Sequence, residues 1–479
     1  MFSSKKAPLN KKDFLNRRAF LKRSGKVTAV ASATSVVASV TSVAAALTSF
    51  DLMAAGADDY KAIVCVYLLG GLDNYDTVLP YDEASYDKYV SLRPSLMARY
   101  QGSRDRSKLL PLKPLNDTQH QARSFALPAE MPNLAHMFNQ GNAALVANVG
   151  PLLASTNATT FEQESVTLPQ RLFSHNDQQA AWLSGSMNQA RFGWGGAFSD
   201  HFIRQGANVS PEFSAITTGD NALFLTGKRS TAFQIDPEGP QYIDALAESR
   251  GDRRLNRLLN EHFLASDNKL ALLAEQDVAN AFQQSLVSNR KYNKSVAEFD
   301  SVKYLFDEGD LTNQLKVVAQ TIAARNRLGV KRQVFIVGID GFDTHSDQAQ
   351  DLPQLQTDLD QGVANFYKAL EELELTNNVT LFTASEFGRT LSVNDDGTDH
   401  GWGGHHFVVG GAVKGQKIYG QIPELGYGHA LDAGHGRLIP TLSIEQMAEP
   451  IGRWFGLDDA ALAEALPSLN RFKKRLTFM

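Results

Sequence analysis

The chain has 479 residues, 43% of them hydrophobic and 21% charged, which suffices for a large buried core. Its single cysteine, Cys65, excludes an internal disulfide, and a formal net charge of −5 argues against nucleic acid as a partner. No internal repeat, heptad run or proline-rich linker divides it.

The first segment, Asn16-Arg17-Arg18-Ala19-Phe20-Leu21-Lys22, carries paired arginines among further lysines and precedes a weakly apolar stretch, Val27 to Met53, without Lys or Arg. This pattern predicts a twin-arginine export signal, with cleavage after Ala57 in the small-residue site Ala55-Gly56-Ala57. The implied partner is the twin-arginine translocation machinery, and the implied destination is the periplasm or the exterior. An uncleaved anchor is the alternative, weakened by the Ser and Thr that dilute the stretch, so no stable membrane span is expected after cleavage. Loss of residues 1–57 would leave 38 basic against 50 acidic residues, about −12.

Continuous apolar runs over Ala62 to Leu69, Ala143 to Val149, Val334 to Ile339, Val379 to Thr383 and Phe407 to Val409 predict buried parallel strands. Leu355, Leu359, Val363, Phe366 and Leu370 repeat at helical spacing within Leu352 to Leu375. The fold class expected is therefore α/β, a parallel-dominated sheet sandwiched by helices in a single domain over 58–475. A mostly helical insertion is expected over about 199–332, including Tyr242 to Leu264, Ala271 to Val287 and Asn313 to Leu328; the charge-rich Arg250 to Arg257 reads as a solvated helical face.

In such a fold, polar residues just past the carboxyl ends of strands line the ligand crevice. After the first strand, Gly70-Gly71-Leu72-Asp73-Asn74 allows a sharp turn with Asp73 at its tip, either a carboxylate ligand or an ordinary Asp-Asn turn. Ser174-His175-Asn176-Asp177 opens a helix whose first residues can cap it, point donors at a ligand, or both. Asp343 and His345, two residues apart beyond a strand, can chelate one cation, or form a solvated turn. Glu386 and Arg389 follow the next strand, and Arg389 suits either a bound oxyanion or a structural ion pair. Six of the 11 histidines, His345, His400, His405, His406, His429 and His435, fall in one stretch, which favours a metal site.

These blocks, Gly-Gly-Leu-Asp-Asn, Ser-His-Asn-Asp-Gln-Gln, Phe342-Asp343-Thr344-His345, Ser385-Glu386-Phe387-Gly388-Arg389-Thr390 and Gly397-Thr398-Asp399-His400-Gly401, resemble those of the domain-of-unknown-function 1501 family, within the alkaline phosphatase and sulfatase superfamily. The resemblance implies an alkaline phosphatase-like fold and a metal-dependent hydrolase of phosphate or sulfate esters. It places a divalent cation, zinc, manganese, calcium or magnesium, on Asp73, Asp343, His345, Glu386 and His400. Asn74, Asn176 and Arg389 would bind substrate. Phe387 stands where superfamily members carry a further ligand, and His175 where sulfatases carry their modified Cys. His175 or the neighbouring hydroxyl of Ser174 would then be the attacking group. A non-catalytic secreted binding or cell-envelope assembly protein that keeps the fold is the alternative.

Overall fold

The computed structural model describes residues 59–116, 120, 122–185, 191–219, 222–239, 254, 257, 258 and 273–479. The predicted signal segment lies outside them, as does the predicted helix Tyr242 to Leu264 with the charged stretch inside it, apart from Arg254, Arg257 and Leu258.

Nine strands form the central sheet: β1 (Lys61–Leu68), β2 (Ala143–Gly150), β3 (Ala215–Thr217), β4 (Phe233–Gln234), β5 (Arg332–Ile339), β6 (Val379–Ala384), β7 (Gly404–Val409), β8 (Ile418–Gly420) and β9 (Leu442–Ser443). Their order is β8-β2-β7-β6-β1-β5-β3-β4, with β9 also on β2. β7 pairs antiparallel with both β6 and β2, and the other pairings are parallel. The run Phe407 to Val409 was expected to be parallel. It runs the other way, and continuous burial on both faces fits either direction.

Successive residues of β1 point to opposite faces. Ala62, Val64, Val66 and Leu68 pack in a core with α4 (Asp310–Ala323) and α5 (Gln348–Glu372); Ile63, Cys65 and Tyr67 pack in another with α2 (Trp194–Arg204) and α6 (Ile444–Phe455). The molecule is thus a mixed, mostly parallel sheet between helical layers. In α5 the predicted period holds: Leu359, Val363, Phe366 and Leu370 are buried and Leu355 is partly so. α6 starts at a capping box, Ser443 with Gln446, and stops at Gly456 with φ 114. The stretch 199–332 holds the helix α3 (Leu273–Val296) and α4, as its periodicity suggests, but also gives the sheet β3 and β4. Two- and three-residue strands are too short to show alternation. Among the described residues no helix is long and apolar enough to cross a membrane.

The register aligns Leu68 with Ile339 and Tyr67 with Ala384, so β1, β5 and β6 end at one level. The chain leaves β1 through Gly70 (φ 114), where an added Cβ would come within 2.2 Å of the Asp343 backbone nitrogen. Only glycine permits that approach, and it brings the loop after β5 against the loop after β1.

Candidate metal centre

Two loops, a short strand and a helix start converge at this end of the sheet. The loop after β5 supplies Asp343 and His345, the turn after β6 supplies Glu386, Phe387 and Arg389, the short strand Thr398–His400 supplies His400, and α1 (His175–Ser184) supplies His175 at its first residue.

The imidazoles face one another through their Nε2 atoms. His175 Nε2 lies 3.0 Å from His400 Nε2, and His345 Nε2 lies 2.8 Å from the same atom. Asp343 closes the group: its Oδ1 is 3.2 Å from the Nε2 atoms of His345 and His400, and its Oδ2 is 3.4 Å from that of His175. The ligand atoms of His175, Asp343 and His400 all lie within 4.8 Å of one another, with His345 adjoining them.

What turns the rings this way is a partner on each Nδ1. His175 Nδ1 is 2.9 Å from Oε1 of Glu386, His400 Nδ1 is 2.8 Å from the Phe173 carbonyl, and His345 Nδ1 is 3.3 Å from Oδ1 of Asp399. The partners of His175 and His400 are acceptors, so those two rings keep their proton on Nδ1 and turn the lone pair of Nε2 inward. Lone pairs at such distances repel unless a proton or a cation lies between them. A tetrahedral zinc ion with bonds of about 2.0–2.1 Å would separate its nitrogens by about 3.3 Å, so the rings fit with adjustments of a few tenths of an ångström. Histidine held through its other nitrogen by a carboxylate or carbonyl is the usual outer support of such a ligand.

Charge follows the same division. The hydrogen bond that His175 donates to Glu386 raises the pKa of His175 above its ordinary value, against the opposing effect of burial. Burial lowers that of His400, and the charges of Arg389 and His175 lower it further. Burial pushes Asp343 upward, but the hydrogen bond and charge of Arg389, with His345 and His175, hold its carboxyl below the usual range. Phe387 is the floor: its ring stacks on His400 at 4.7 Å and meets His175 at 4.9 Å. It stands where a ligand was expected and instead shuts water out beneath the imidazoles.

The remaining predicted residues lie around this cluster in other roles. Glu386 is fully buried behind His175, where its Oε1 also accepts from the Gly70 amide at 2.9 Å and the Gln179 side chain at 3.0 Å. Arg389, also buried, donates to Asp343 Oδ1 at 2.7 Å, to the Gly70 carbonyl at 3.0 Å and to the Thr398 carbonyl, the ion-pair alternative rather than a free anion fork. Asp73 stands outside the histidine cluster. Its carboxylate accepts from the Tyr75 and Asp76 amides, from Arg93 at 2.8 Å and from Gln348 at 2.7 Å, so it caps the turn Asn74–Thr77 and neutralises a buried arginine. Ser174 donates to Asp177 at 2.8 Å, and Asn176 is exposed on the first turn of α1. Asn74 is buried away from the histidines, against a separate cavity. Of the clustered histidines only His345 and His400 join the centre. Burial holds His405 at about 4 and His406 at about 3, as neutral core groups of β7. Sequence reasoning missed Asp399, next to His400 in a block already marked out, and the Phe173 carbonyl, which no side-chain pattern can announce.

An α/β protein with a histidine-rich, carboxylate-supported cluster at the carboxyl ends of its central strands is the class that fold and site define. The family model described as protein of unknown function, DUF1501, matches residues 60–466, and the chain belongs to that family. Among curated proteins none matches. Among solved structures it is similar to the PsFucS1 sulfatase from Pseudoalteromonas sp., at 8% identity and TM-score 0.32, over 88% of this chain and 73% of that one. It is also similar to a Bacteroides thetaiotaomicron protein from a locus for metabolism of multiple glycosaminoglycans, at 9% identity and TM-score 0.33, over 84% and 74%.

Proposed function

We propose that the chain is an exported, metal-dependent hydrolase of phosphate or sulfate esters, with its centre at His175, Asp343, His400 and the adjoining His345. One observation carries this reading: three Nε2 atoms converge beside a carboxylate while the Nδ1 atoms of His175 and His400 are each held by an acceptor. A divalent cation, when bound there, supplies Lewis-acid polarisation of the ester oxygen and lowers the pKa of an attacking group. The chain's own residues do the positioning. Glu386 fixes the tautomer of His175, Arg389 holds Asp343 toward the cluster, and Phe387 keeps water from below. His175, Asp343 and His345 remain partly exposed on the open side, where an ester on a large molecule can reach them. Arg17 and Arg18 would send the folded protein through the twin-arginine machinery to the periplasm or beyond, where folding in the cytoplasm lets the distant ligands meet before export. The test is turnover of aryl phosphates, aryl phosphodiesters and aryl sulfates by protein reconstituted with zinc, manganese, calcium or magnesium. Activity lost in His400→Ala with the fold intact supports the reading. Folded, metal-loaded protein that turns over none of them overturns it.

The hydrogen bond that ties the Ser174 hydroxyl to Asp177 favours a second reading, in which the cation is bound without turnover by a secreted binding or envelope-assembly protein. Saturable metal binding with no hydrolysis separates the two.

A further inference from the structure

We propose that Arg437 is a positioning residue of the histidine centre: it holds His400 in the ring orientation that a cation requires, acting through Phe173 and the His400 backbone. The inference rests on the reading that the centre binds a cation. Arg437 stands 37 residues beyond His400 and belongs to none of the polar blocks that follow the long strands.

Two contacts carry the inference. The Nε–H of Arg437 donates to the His400 carbonyl at 2.9 Å, and the guanidinium lies over the Phe173 ring, 4.9 Å from its centroid. Phe173 in turn offers its carbonyl to His400 Nδ1 at 2.8 Å, the bond that turns Nε2 of His400 inward. Arg437, Phe173 and His400 therefore form a closed triangle: one contact on the backbone of the ligand, one on its ring, and the stack that joins the two. The backbone of Arg437 is itself well held. It leaves a turn in which the amides of Gly428, Gly434 and Gly436 donate to the Asp432 carboxylate at 2.8, 2.8 and 2.9 Å.

Phe173 gives an independent reason for this assignment. Its φ is 71, in the left-handed region, where a bulky aromatic residue is strained. Such a conformation persists only where the surroundings enforce it, and it tends to be kept at functional sites. Here the ring packs against the cluster of Leu152, Trp402, Ile439 and Phe472, and Arg437 covers it as well. An ion pair does not account for the arginine. Its hydrogen bonds go to carbonyls, of His400 and, at 3.4 Å, of Gly434, and among the described residues it pairs with no carboxylate. What a guanidinium supplies, and an ammonium does not, is a flat face for the ring together with an N–H in the same plane for the carbonyl.

The experiment measures zinc affinity of the full chain by competition with a chromogenic chelator, and the d–d spectrum of the cobalt(II)-loaded protein. Wild type is compared with Arg437→Met, which keeps the apolar stem but loses donor and stack, with Phe173→Gly, which keeps the carbonyl but loses the ring, and with the double variant. Each single variant should weaken zinc about tenfold, the low end of the about 10–100-fold that outer support of a metal ligand is worth. The double variant should be little weaker than either, because both act through one contact. The cobalt spectrum should change with them, since it reports coordination geometry. Leu328→Ala, near the start of β5 and so at the opposite end of the sheet, is the control: it lowers the melting temperature and should leave both readings at their wild-type values. Zinc affinity of Arg437→Met within about threefold of wild type with an unchanged cobalt spectrum, or single losses that multiply in the double variant, would overturn the proposal and leave the centre standing. Wild-type protein that binds neither zinc nor cobalt(II) would overturn the centre itself, and this role with it.

Discussion

Replacing Glu386 by Gln tests whether the carboxylate behind His175 serves the metal centre or only the core. Glu386 is fully buried; its Oε1 takes three bonds, from the Gly70 amide, His175 Nδ1 and Gln179, and its Oε2 takes a long one from Ser385 Oγ at 3.4 Å. The amide oxygen of Gln can accept the same donors in the same volume, so the packing survives. What is lost is charge: a hydrogen bond to an ionised acceptor is about twice as strong as a neutral one. For a carboxylate that supports a metal-bound histidine, such a loss costs about 10–100-fold in metal affinity, or about 1.4–2.7 kcal/mol. Competition of the purified protein against a chromogenic chelator reads this directly. The metal-free protein gives a second reading. Glu386 raises the pKa of His175, and a raised pKa contributes stability that is complete below the unfolded value of 6.5 and is lost as pH rises through the folded one. The melting temperature of Glu386→Gln should therefore fall furthest below wild type in acid and approach it at alkaline pH. Affinity within threefold of wild type, with the deficit constant across pH, would refute the assignment.

Three further perturbations address the surroundings. Asp73→Asn should leave metal stoichiometry at its wild-type value while lowering stability by somewhat less than the about 3–5 kcal/mol that breaking a buried ion pair costs, because Asp76 stays 3.1 Å from Arg93; metal analysis and urea denaturation report the two effects. Glu445 is buried with one oxygen unpartnered, and burial raises its pKa from 4.5 to about 7, so folding stability is lost as pH rises through that range. Glu445→Gln should then raise stability by up to ~3 kcal/mol at pH 8 and by nothing near pH 4, seen by calorimetry at the two values. Gly388→Ala would put a Cβ 2.2 Å from Oδ1 of Asn74 and 2.4 Å from the Gly403 carbonyl, and should cost at least about 1–3 kcal/mol in thermal unfolding, since one of those atoms sits on backbone that cannot turn aside.

Much of the frame was legible because burial leaves its mark on composition. β1, β2, β5 and β6 are continuous apolar runs of six to eight residues, and their length together with their Val and Ile content favours strands. Strand direction was not legible for β7, since a strand buried on both faces carries the same residues either way. At the site, Asp343, His345 and His400 stand in polar blocks just beyond strands, where the topology makes ligands meet. Asp73 occupies an equally good position in sequence, and only Arg93, brought in by a helix start 20 residues on, claims its carboxylate. Nothing in the local pattern of either residue announces that pairing. Phe387 likewise reads as a missing ligand until its ring is seen beneath two imidazoles.

The most direct measurement is the anomalous diffraction of crystals grown from zinc-reconstituted protein. The account predicts one strong peak per chain, within bonding distance of Nε2 of His175 and His400 and of Asp343, with His345 on its open side. A fully folded protein with no peak there, or a peak at Asp73 instead, would contradict it.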